Sequence, residues 1–120
     1  MFSSTSISEW TEMNENMEGT VLFLDLDRIR KDDQFVFYWV MSDYTNLKPF
    51  PKGMYFLSSI AHMKGDCKAL RYKQLSVGLY KYSMANSLIE SKPSKNKDWR
   101  YLVPDSALEQ AQKIACSDLL

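Results

Sequence analysis

With 120 residues, 45% hydrophobic and 13% aromatic, the chain has material for one modest core, and a second domain is not expected. Fifteen Lys and Arg balance fifteen Asp and Glu, so no global field draws the protein to nucleic acid or anionic lipid. No apolar run approaches the roughly 18 residues of a membrane span.

The charge is unevenly spread. Residues 1–33 hold eight acids against three bases, and residues 64–100 hold nine bases against Asp66, Glu90 and Asp98. Residues 1–8 read as disordered or as the start of a trimmed chain. They lack the basic and apolar regions of a signal peptide and carry no cysteine for a lipid anchor, so anchoring cannot be assessed.

Trp10 to Met13 reads as a weak first strand, and Thr20 to Leu26, opened by Gly19, as a strong second. Asp27 to Asp33 reads as a polar connection. From Gln34 to Tyr44 both alternating sets are apolar: Phe35, Phe37, Trp39 and Met41 on one side, Val36, Tyr38 and Val40 on the other. That pattern is expected of a central strand covered on each face. Pro49 and Pro51 then break the chain, and a further strand is expected from Gly53 to Ile60. Cys67 to Tyr82 alternates basic and apolar residues, with Lys68, Leu70 and Tyr72 on one side and Ala69, Arg71 and Lys73 on the other. Leu75, Val77 and Leu79 continue the basic side, and Gly78 is the candidate for a bulge that would explain the change. Met84 to Ile89 and Trp99 to Val103 are further short strands, separated by the polar loop Lys92 to Lys97.

Only the C-terminal segment reads as a helix. Ser106 and Glu109 form a capping box, and Ala107, Leu108, Ala111, Ile114 and Ala115 share one arc, with Cys116 at its edge. Strands in succession closed by one helix predict an α+β fold, an antiparallel sheet with the helix on one face. Spacing alone leaves two readings of Cys67 and Cys116 open: a disulfide, or two unrelated buried thiols.

Catalytic readings find little to build on. Val21 to Asp27 looks like the first motif of haloacid-dehalogenase phosphatases, with Asp25 as nucleophile and Asp27 as acid. That chemistry needs a parallel sheet, a downstream lysine and a magnesium-binding acidic pair. His62 is the sole histidine, so a multi-histidine metal site is excluded. Beside Cys67 it would make a nucleophile pair only if that cysteine were free. No catalytic residues, metal or cofactor are expected. The tyrosines and bases of residues 71–82 suit nucleic acid poorly at zero net charge.

The order of Trp10, Leu24-Asp-Leu-Asp-Arg-Ile29 and Val36-Phe-Tyr-Trp-Val-Met-Ser-Asp-Tyr44 resembles the surface-adhesin protein E family. So do Asp66-Cys67-Lys68, Arg71-Tyr-Lys-Gln-Leu-Ser76 with Tyr80, and Trp99-Arg-Tyr-Leu-Val-Pro-Asp-Ser106 leading to Cys116. The resemblance runs from Trp10 to nearly the end of the chain. It implies a sheet of about six strands, a Cys67–Cys116 bridge to the helix, and export to the bacterial periplasm or outer surface. It also implies non-catalytic binding of extracellular-matrix or serum proteins, and dimers. Asn86 departs from the glycine expected after Met84-Ala85. On this basis Lys68, Arg71, Tyr72 and Lys73 are the candidate binding strip, facing an acidic protein or sulfated polymer. A second expectation is an envelope protein that self-associates through Phe35, Phe37 and Trp39, without an adhesin role.

Overall fold

The double apolar pattern of residues 35–41 becomes the centre of the molecule. A computed structural model describes residues 10–14 and 19–117; the expectation for residues 1–8 lies outside that range. Among the described residues eight strands form one sheet: β1 (Trp10–Glu12), β2 (Thr20–Asp25), β3 (Arg30–Asp32), β4 (Phe35–Phe50), β5 (Met54–Asp66), β6 (Arg71–Tyr82), β7 (Asn86–Pro93) and β8 (Arg100–Tyr101). The helix α1 (Ala107–Cys116) closes the chain. The main strand order is β1-β2-β4-β5-β6-β7, while β3 pairs with β4 and β8 with β6, and every pairing is antiparallel.

Several boundaries differ from the sequence expectation. The polar connection after β2 contains β3, three exposed residues that pair because β4 presents a free edge beside Phe35, Val36 and Phe37. β4 runs through Pro49 to Phe50, with Pro49 opposite Tyr55 near the hairpin end. β5 continues past Ile60 to Asp66, and Cys67 therefore lies in the β5–β6 turn instead of on a strand. The bulge in β6 falls at Leu75, because His62 pairs with Ser76 while Met63 pairs with Gln74. That extra residue moves Val77 and Leu79 to the face of Tyr72 and Gln74. Gly78 pairs regularly with Ile60. Asn86 has φ −98°, so no glycine is required there. The left-handed positions of this turn are Met84, Ala85 and Ser87. The turn at Met84 and Ala85 is held by their amides, which donate to Asp43 Oδ1 (3.0 Å) and to the Oγ of buried Ser58 (2.9 Å).

Helix α1 starts as its capping box predicts: the Glu109 amide donates to Ser106 Oγ at 3.1 Å. Its seam of Ala107, Ala111 and Ala115 lies over Leu24, Val36, Tyr38, Val40 and Met63. The short alanine side chains let the helix backbone come close to the sheet. The arc also holds one polar residue, Gln112, fully buried. Its Oε1 accepts from Tyr38 Oη (2.7 Å), and its Nε2 donates to the carbonyls of Arg71 (3.0 Å) and Asp66 (3.4 Å). Gly65 lies directly beneath, and any Cβ there would stand 2.5 Å from the Gln112 Cδ. Cys67 and Cys116 are joined, with Cα atoms 5.8 Å apart, so the end of α1 is tied to the β5–β6 turn.

Asp66 organises that turn. Its Oδ1 accepts from the amides of Lys68 and Ala69 and from Gln34 Nε2, and its Oδ2 meets Arg71 Nε at 3.0 Å. Burial alone would raise its pKa, but these hydrogen bonds outweigh burial and hold the carboxylate below its ordinary value of 3.8. Because the folded value is depressed, the unfolded chain takes up the proton first. The contribution of Asp66 to stability is therefore complete above about pH 3.8 and lost as pH falls through the folded value. Asp66→Asn is expected to flatten the acid limb of a pH–stability curve measured by urea unfolding. An unchanged limb would assign acid unfolding to other carboxylates.

Candidate functional site

Alternation places the two sides of β4 in different surroundings. Val36, Tyr38 and Val40 are buried under α1, whereas Phe35, Phe37 and Trp39 face the other side of the sheet, on which the described residues place no helix. Register then decides what meets them. Phe37 pairs with Arg30 on one side and Lys64 on the other, Lys64 pairs with Lys73, and Asp66 pairs with Arg71. Directly paired residues point to the same face.

The outcome is a layer of cations over a layer of rings. The Arg30 guanidinium lies 4.3 Å from the Phe37 ring centre, and Arg28 lies 5.0 Å from that of Trp39. The Lys64 ammonium is 4.6 Å from Phe35 and 5.6 Å from Phe37. Trp99, from the segment before β8, stacks on Phe35 at 5.9 Å and carries Arg71 at 4.5 Å and Lys73 at 4.4 Å. Each such contact at an exposed site contributes about 0.5–1 kcal/mol. His62 stacks flat on Trp39 at 4.2 Å. Burial, then Arg30 and Arg28, lower its pKa below 6.5, so the imidazole is neutral at pH 7. Tyr101 stands in register with Arg71 at the rim and is 71% exposed.

The four residues of the sequence-derived strip are not all brought together. Arg71 and Lys73 share the open face on Trp99, and Lys68 is exposed in the β5–β6 turn. Tyr72 stands on the opposite face beside the core, where it lines a cleft of about 350 Å³ with Gln74, Lys92, Asn96, Asp98 and Arg100. Arg30 and Lys64 join the open face through register, and Arg28 and Trp99 through ring contacts made from the segments outside the strands; none of the four was singled out by local sequence pattern.

The acidic motif after β2 is closed on itself. Asp25 is fully buried, its Oδ1 accepts from the Asp27 amide at 2.9 Å, and its Oδ2 meets Arg28 Nε at 2.6 Å. It sits on an antiparallel sheet, not on the parallel sheet that phosphatase chemistry needs. Both cysteines are consumed by the bridge, so His62 has no thiol partner. Among the described residues, no three or more His, Cys, Asp or Glu side chains gather as a metal site.

Several solved structures share this fold. The structure of Haemophilus influenzae protein E aligns with a TM-score of 0.67 at 17% identity, covering 95% of this chain and 88% of that one. A selenomethionine form of the same protein gives 0.67 at 19%, covering 97% and 92%. Protein E from non-typeable H. influenzae gives 0.62 at 16%, covering 95% and 79%. No curated protein sequence matches the chain. The family model for surface-adhesin protein E matches residues 10–117, from β1 to just past the bridged end of α1, and the chain belongs to that family.

Proposed function

We propose that the protein is an exported, non-catalytic adhesin that binds extracellular-matrix or serum-type proteins through the open face of its sheet. The observation that carries this reading is the row of five cations, Arg28, Arg30, Lys64, Arg71 and Lys73, held over four rings on a face without a covering helix. Family membership supports an adhesin. The Cys67–Cys116 bridge supports an oxidising compartment, the periplasm or the outer surface. Lys68 extends the row at its turn end, and Tyr72 supports it from the opposite face of β6.

A self-association reading has its own observation. Leu47, Met54, Tyr55, Tyr82, Met84 and Leu88 are each 44% or more exposed and gather at the β4–β5 and β6–β7 hairpin end of the sheet. The face of Phe35, Phe37 and Trp39 is instead covered by its own cations.

Surface plasmon resonance against a panel of purified matrix and serum proteins tests both readings, with light scattering on the same samples. Lys68→Gln with Lys73→Gln is expected to weaken binding and flatten its salt dependence, because exposed charge–charge attraction is screened within about 10 Å at 0.1 M salt. Arg71 is left intact, since it also holds Asp66. Undiminished binding by this variant removes the open face from the mechanism, and a monomer at every concentration removes self-association.

A further inference from the structure

The cations of the open face are crowded. Arg30 on β3, Lys64 on β5 and Lys73 on β6 occupy one cross-strand row, with Phe37 of β4 between the first two. Neighbouring strands lie roughly 4.8 Å apart, so Lys64 and Lys73 are direct neighbours. Both ammonium groups lie over the Trp99 ring, at 6.0 and 4.4 Å. Like charges directly opposite destabilise a sheet. The rings hold these cations in place without neutralising them. Of the acids beside these cations, Asp66 is buried and committed to Arg71, Gln34 and its own turn, Asp25 is buried and held by Arg28, and Asp32 stands one row away on β3.

Resting on the adhesin reading above, we propose that this row is a track for a sulfated glycosaminoglycan chain, so that the glycan of a matrix proteoglycan is what the adhesin holds. Charge complementarity gives the class: a polyanion relieves the Lys64–Lys73 repulsion, with Arg30 continuing the row and Arg71 and Arg28, each paired with a buried carboxylate, beside it. The rings separate this ligand from other polyanions. Bases of single-stranded nucleic acid need open ring faces on which to stack, and here each of the four rings already has a cation over it. An acidic protein needs a desolvated apolar anchor at the centre of its interface, and the centre of this face presents ammonium and guanidinium groups. A linear sulfated chain asks only for charge in a row.

Titration calorimetry with a heparin octasaccharide on the full chain tests the assignment. The affinity is expected to fall about 100-fold between roughly 50 and 200 mM salt if about four ion contacts form. Lys64→Gln with Lys73→Gln is expected to lose about tenfold or more in affinity at a temperature where its circular dichroism is that of the folded chain. A purely structural role for the two lysines would lower the melting temperature and leave the affinity of the folded variant unchanged. Lys64→Arg with Lys73→Arg keeps the charge and is expected to bind as the unaltered chain does, which covers the case of a Gln variant that fails to fold. The proposal is overturned by no heparin binding, by undiminished binding of the Gln variant, or by loss in the Arg variant. It is equally overturned if polyglutamate or single-stranded DNA of equal charge binds as tightly. Matrix protein stripped of its glycan separates the two readings: if it still binds when heparin does not, the glycan assignment falls and the adhesin reading stands.

Discussion

Replacing Cys67 and Cys116 together by serine is expected to lower unfolding stability by about 4 kcal/mol in the loop-entropy model. The bridged residues are 49 apart in sequence, which closes a long loop. For a domain whose stability is roughly 5–15 kcal/mol, that is a large share. The local consequence follows from the helix itself. α1 has ten residues and a seam made largely of alanine, and helices shorter than about 12–15 residues are marginal in water without tertiary contacts. The bridge fixes its C-terminal end to the β5–β6 turn, where Lys31 Nζ also donates to the Cys116 carbonyl at 2.8 Å. Urea unfolding of the oxidised, reduced and double-serine proteins measures the effect, and the reduced and double-serine forms should agree. A loss below about 1 kcal/mol, within the range of an ordinary surface substitution, would mean that α1 docks through its alanine seam and Gln112 without the covalent tie.

The parts of this fold legible in the sequence are those set by short-range periodicity. The strand around Phe35–Met41, the capping box at Ser106 and the arc of α1 all emerge where they were expected, because each depends on residues a few positions apart. The parts that were not legible depend on partners distant in sequence. Arg30–Asp32 carries no apolar residue and becomes a strand only because β4 offers it an edge. Leu75 bulges because β5 demands it, and that single extra residue explains why the apolar positions of β6 change sides. Cys67 lies among residues that alternate like a strand, yet Asp66 turns the chain there by accepting two amides in sequence.

The candidate site follows the same division. Arg71 and Lys73 were visible as a basic alternation, and the structure seats both on Trp99. Lys64 was invisible because it is a lone base on an apolar strand, Arg30 because it stands in a polar connection, and only the register across β3, β4, β5 and β6 aligns them. The sequence left two readings of the aromatic side of β4 open, packing within the monomer or self-association. The protein's own arginines and lysines lie over that side, with their guanidinium and ammonium groups above the rings. The site is therefore a property of sheet register more than of any motif.

One methyl group at Gly65 is expected to cost about 3 kcal/mol, through the partners of a side chain 47 residues away. The Cβ of Gly65→Ala would stand 2.5, 2.6 and 2.8 Å from the Cδ, Oε1 and Nε2 of Gln112, nearer than real Cβ contacts come. A glutamine end is ordinarily free to step aside. This one is fully buried, and moving it breaks its bonds to Tyr38 Oη and to the Arg71 and Asp66 carbonyls. Each buried polar group left without a partner costs about 1–3 kcal/mol. Tyr38 is the most exposed to that loss, since its ring and hydroxyl are wholly out of solvent. Gln112→Ala strands the same partners from the other side and is expected to cost a similar amount, about 3 kcal/mol. The two changes are not independent. With the carboxamide gone, the Gly65→Ala methyl enters the space it vacated, so the double variant should be less destabilised than the sum by about 2 kcal/mol. A double-mutant cycle by urea unfolding measures that coupling. Additive losses would place the cost of Gly65→Ala in the β5 backbone. Coupled losses place it in the fit between a strand without a side chain and the one polar residue that the helix drives into the core.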